Sequence, residues 1–74
     1  MENSVKKTYW DVTELGYRCG LFYCGSIRCG IILCADVYWI VSDTHKAVLS
    51  RSDTQAEAWA EMERIKARFR GVAV

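Results

Sequence analysis

Residues 53–70 constrain the fold of this chain more than any other stretch. Ala58, Met62, Ile65 and Phe69 recur at i, i+4, i+7 and i+11, which is one stripe of an α-helix, and Trp59 widens it. Glu57, Glu61, Glu63, Arg64, Lys66 and Arg68 fall mostly off the stripe and are expected to face water. The start offers several caps: Asp53 itself, and the pairs Ser52–Gln55 and Thr54–Glu57 at capping-box spacing. Acidic residues gather in the first half, and Arg64, Lys66, Arg68 and Arg70 in the second, as the helix dipole favours. Gly71 is expected to close the helix as its C′ residue. An isolated helix of this length is marginal in water, so the stripe requires a partner surface. Residues 5–51 must supply it. The expected fold is α+β: a four- to five-stranded, mainly antiparallel sheet packed against one C-terminal helix.

The rest of the chain reads as strands. Val5 to Thr13 alternates weakly around Tyr9, Trp10 and Val12 and is taken as an outer strand, with Lys6 and Lys7 discouraging edge pairing. Glu14-Leu15-Gly16 turns the chain. Tyr17 to Cys24 and Ile27 to Cys34 form a hairpin about Gly25-Ser26, glycine first as in a type II′ turn. Asp36 marks a bend or bulge. Val37 to Ser42 is then a separate strand, or the end of one long bent strand. Asp43-Thr44-His45-Lys46 is a polar turn, and Ala47 to Arg51 a short strand leading into the helix. With 74 residues, all of this belongs to one domain. Half the residues (51%) are hydrophobic, which excludes disorder.

Cys19, Cys24, Cys29 and Cys34 recur every five residues, and four thiolates are a complete structural zinc site. A hairpin turning at Gly25-Ser26 opposes that reading. It pairs residue 24 with 27, 22 with 29 and 19 with 32. Cys24 and Cys29 then share one sheet face, Cys19 and Cys34 the other. Four ligands split across a sheet cannot meet at one metal. Free, buried thiols are therefore expected in place of zinc or disulfides, and no cofactor is expected.

The same register makes both faces of the hairpin apolar, with Phe22, Cys24, Ile27, Cys29, Ile31 and Leu33 on one and Tyr17, Cys19, Leu21, Tyr23, Ile32 and Cys34 on the other. One helix covers one face, and the pattern leaves open which. The surplus face is expected to meet a partner protein or a second copy of the chain as a homodimer. Tyr17, Leu21, Tyr23, Arg28 and Ile32 are the candidate partner-binding residues. The alternative is that the N-terminal segment folds over that face and closes it.

Catalysis finds no constellation to carry it. His45, the only histidine, lies in the polar turn, and no glycine loop precedes a helix as phosphate binding requires. The segment 19–41 is interrupted by Arg28 and Asp36, so no membrane span is expected, and the start lacks the apolar core of a signal peptide. A cytoplasmic setting with reduced cysteines follows as the expectation. Ten basic residues against nine acidic ones give a net charge of +1, which makes direct nucleic-acid binding the lesser alternative, although Arg64 to Arg70 and exposed tyrosines would suit it.

Residues 38–63, YWIVSDTHKAVLSRSDTQAEAWAEME, run aromatic strand, polar turn, short strand and S-D-T-x-A-x-A-W helix start. This segment resembles the ending of many small phage and prophage proteins, and the chain is similar in scale and architecture to several anti-CRISPR inhibitors. The resemblance implies a non-catalytic protein that blocks a CRISPR effector complex in a bacterial cytoplasm. It covers about a third of the chain and carries no binding residues across.

Overall fold

The computed structural model describes the backbone of residues 7–72 and the side chains of residues 7–69. The expected contributions of Val5, Lys6 and the Arg70 side chain lie outside the described residues. Element order is α1 (Tyr9–Leu15), β1 (Tyr17–Cys24), β2 (Ile27–Cys34), β3 (Val37–Ser42), β4 (Ala47–Ser52) and α2 (Gln55–Val72). The strands form one antiparallel meander in the order β1-β2-β3-β4, with a helix on each face. This is the expected α+β architecture with one element changed.

The changed element is α1, where a strand was expected. Tyr9, Trp10 and Val12 have strand-like propensities, but the local hydrogen bonds favour a helix. Thr8 Oγ1 accepts from the Asp11 N–H, and the Asp11 carboxylate accepts from the Thr8 N–H, each at 3.1 Å, a complete capping box. Tyr9 and Val12, three apart, both point into the core. At seven residues α1 is too short to persist alone, so its stability comes from packing.

Helix α2 lies on one face with Ala58 and Met62 buried and Trp59, Ile65 and Phe69 partly buried, against Phe22, Cys24, Cys29, Ile31 and Ile40. The stripe is the expected one. Of the candidate caps Thr54 acts: its Oγ1 accepts from the Glu57 N–H at 3.1 Å, while the Glu57 carboxylate accepts from the Asp53 N–H at 3.3 Å. Gly71 does not end the helix, which runs to Val72. On the opposite face Tyr9 and Val12 of α1 cover Ile32, Cys34, Trp39 and Val41. The second face is thus largely closed by the chain itself, by a helix where a folded-over strand was the alternative.

One turn and one bulge decide the register. At Ala35 and Asp36 φ is 55° and 64°, positive at both central residues of a two-residue hairpin, as a type I′ turn requires. Residues 27–42 are therefore two strands. In β1 the pairing with β2 shifts between Arg18 and Gly20. This bulge at Cys19 sets Arg18 opposite Ile32 and Tyr17 opposite Leu33, so Tyr17 moves to the α2 side of the sheet. The expected pairings 22 with 29 and 24 with 27 are present, whereas 19 with 32 is not.

Candidate functional site: the outer face of the first hairpin

Helix α1 covers β2 and β3 but leaves the end of β1 open. Leu21 and Tyr23 stand there 51% and 55% exposed, on the α1 side of the sheet. Tyr23 pairs with Arg28 and Leu21 with Gly30 across the hairpin. Gly30 has a specific reason to lack a side chain: a Cβ there would collide with the Arg18 guanidinium. Arg18 thus crosses the sheet over Gly30 and reaches Asp43 at the start of the β3–β4 turn.

Asp43 is the hub of this face. Arg18 donates to both carboxylate oxygens, Nη1 to Oδ2 at 3.2 Å and Nη2 to Oδ1 at 3.1 Å, a bidentate pair. The Tyr9 hydroxyl donates to Oδ1 at 2.5 Å. Arg28 Nε lies 3.6 Å from Oδ2, with its side chain 54% exposed. Lys46, held at φ 54° with Nζ donating to the Asp43 carbonyl at 2.9 Å, also sits over the Tyr9 ring at 5.9 Å. Burial by itself would raise the Asp43 carboxyl. The hydrogen bonds from Tyr9 and Arg18 and the charges of Arg18 and Arg28 together outweigh it and hold the carboxyl below its ordinary value. The same hydrogen bond, with burial and the Asp43 charge, pushes the Tyr9 hydroxyl up. Two guanidinium groups meet one carboxylate and the Lys46 ammonium sits on its backbone carbonyl, so the face is positive beside an exposed aromatic and an exposed aliphatic side chain.

The candidate residues therefore divide. Leu21, Tyr23 and Arg28 share this surface. Tyr17, 72% exposed, stands across the sheet from them because of the Cys19 bulge. Ile32, 1% exposed, is packed beneath α1 and forms part of the core, so it leaves the contact set. Arg18, Asp43 and Tyr9 join the face without a sequence signal. Asp43 is 25 residues from Arg18 and 34 from Tyr9, and only folding brings them together.

The α2 side holds a second feature. Cys24, Cys29, Ser42 and His45 line an open apolar cavity of about 190 Å³ walled by Ile65 and Phe69. Burial, with the Cys24 thiol beside it, pushes the Cys29 thiol up to about 11, so it stays protonated at neutral pH and is a poor nucleophile. The His45 ring presents Nδ1 to the Ser42 hydroxyl at 3.2 Å. Cys34 faces α1, and Cys19 sits in the bulge with Sγ 3.5 Å from the Ile31 carbonyl. All four cysteines are free, and among the described residues no three His, Cys, Asp or Glu side chains converge on a possible metal position. No helix among the described residues is long and apolar enough to cross a membrane. The chain matches no protein-family model, no curated protein and no solved structure.

Proposed function

We propose that this protein works by binding a partner protein through the outer face of its first hairpin, as a non-catalytic inhibitor of a bacterial defence nuclease complex. One observation carries the binding reading: Leu21 and Tyr23 are half-exposed on a paired strand and flanked by the guanidinium groups of Arg18 and Arg28. Aromatic residues and arginine are the side chains enriched where proteins meet, and a sheet holds them at little further entropic cost. The choice of a CRISPR effector as target rests on the resemblance of residues 38–63 to small phage proteins. Nucleic acid is the rival occupant, favoured by Arg18, Arg28 and Lys46 beside Tyr23.

The test is a titration of the purified protein into target-DNA cleavage reactions run by a panel of purified CRISPR effector complexes. The expected result is inhibition of at least one complex, with Tyr23→Asp at least tenfold less potent and unchanged in its melting curve. No inhibition across the panel refutes the target class. Retention by single-stranded RNA or DNA, weakened by Tyr23→Asp and steeply by salt, moves the reading to nucleic acid.

A further inference from the structure

The sheet has two outer strands, and they are built differently. β4 has six residues, carries Ser50, Arg51 and Ser52, and breaks register within its length, between its pairings with Ile40 and Val41. Short length, charge and bulges are the devices by which natural edges avoid pairing with other chains. β1 has eight residues, longer than an average strand of about 5–6. Past the Cys19 bulge it runs regularly from Gly20 to Cys24 without a charged residue, and it exposes Leu21 and Tyr23. The row of N–H and C=O groups on its outer side meets no strand among the described residues. Only another strand matches such a row along its whole length.

The sequence of that stretch suits a second copy of itself. An antiparallel pairing centred on Phe22 sets residue i opposite residue 44 − i, so Leu21 meets the partner's Tyr23, Tyr23 the partner's Leu21, and Gly20 the partner's Cys24. Each of these pairs keeps its face. Leu21 and Tyr23 both lie on the α1 side, and Gly20 and Cys24 both lie on the α2 side. Arg18, the one charge in β1, lies beyond the Cys19 bulge and outside the regular Gly20–Cys24 stretch that pairs. A net charge of +1 per chain adds little repulsion between copies.

We propose that two copies of the chain pair through β1, centred on Phe22, to form one continuous sheet of four strands from each copy, with Leu21 and Tyr23 of both at the seam. Each copy then supplies half of a single apolar patch, bordered by two Arg28 side chains. The pairing goes beyond the inhibitor reading and does not depend on it: self-association is read without any target, and nuclease inhibition without any dimer.

Sedimentation equilibrium over a concentration series tests it on the full chain. A mass of twice 8.5 kDa is expected at high concentration. Leu21→Lys, at a position exposed in the single chain, is expected to weaken the dimer at least tenfold with an unchanged circular dichroism spectrum. The register is tested separately in a Cys19→Ser background. Mild oxidation of a mixture of Leu21→Cys and Tyr23→Cys chains is expected to give a cross-linked heterodimer, and neither chain alone a comparable yield. A monomer at every concentration overturns the proposal. So does a dimer indifferent to Leu21→Lys that yields no mixed cross-link, because another surface then holds it.

Discussion

Replacing Asp43 by alanine tests the energetics of the polar face most directly, since that carboxylate holds together residues from α1, β1 and the β3–β4 turn. Its side chain is 13% exposed, and Tyr9 is 8% exposed, so their hydrogen bond is shielded from water. A hydrogen bond to an ionised group is worth about 1.5–3 kcal/mol, and Tyr9→Phe is expected to cost that much. The Arg18 pair is bidentate, but Arg18 is 37% exposed. Solvent screening limits it to about 0.5–1 kcal/mol. Arg28, half-exposed and 3.6 Å away, is expected to contribute less than about 0.5 kcal/mol. Asp43→Ala strands the Tyr9 hydroxyl and frees Arg18, for a total of about 2–4 kcal/mol.

Urea melts at pH 7 of the wild type, Tyr9→Phe, Asp43→Ala and the double variant give the coupling, expected at about 1–2 kcal/mol for directly bonded partners. Additivity within about 0.3 kcal/mol would refute the hydrogen bond as a stabilising contact. Arg28→Ala costing as much as Tyr9→Phe would refute the ranking by exposure. The pH dependence follows from the lowered carboxyl. Its stabilisation is present above the ordinary value of 3.8 and is lost as the pH falls through the lower value of the folded state. Asp43→Asn should lack that part of the acid limb.

Two further outcomes are expected. The Cys29 thiol is raised from 9 to about 11, so its contribution is complete below pH 9 and disappears as the pH rises through 11, a loss of about 2–3 kcal/mol. Urea melts from pH 8 to 11.5 should show a smaller alkaline loss in Cys29→Ala, and parallel profiles would count against the buried thiol. In the β2–β3 turn, Ala35 at φ 55° carries the penalty of a left-handed non-glycine residue. The pair Ala35→Asn with Asp36→Gly is expected to add about 0.5–1.5 kcal/mol, read as a higher Tm, and a lower Tm would exclude the type I′ turn.

Local patterns determined much of this protein. The stripe Ala58, Met62, Ile65 and Phe69 had to become a helix with one buried face, because only helical spacing gathers those side chains. Gly25-Ser26 set the first hairpin, since a glycine-first pair matches the twist of the flanking strands. With that register, Cys24 and Cys29 were bound to share a face apart from Cys34. The cap joining Thr8 and Asp11 was also legible as a helix start, although the β-branched and aromatic residues beside it pointed to a strand.

The tertiary structure decided what depended on distant partners. Which sheet face α2 covers was open, because both faces of the hairpin are apolar. The answer follows from α1 packing Tyr9 and Val12 onto Ile32 and Trp39 and leaving the Phe22 and Ile31 side for α2. The bulge at Cys19 left no mark in the alternation, yet it carries Tyr17 to the other face. Ile32 reads like Leu21 in the sequence, two apolar residues in adjoining strands. One is buried and the other half-exposed only because a seven-residue helix ends where it does. The Tyr9–Asp43–Arg18 cluster depends on contacts across 25 and 34 residues, and no local pattern encodes those. Periodicity reports which side chains share a surface. What covers that surface is settled by competition among all the elements for the same apolar area.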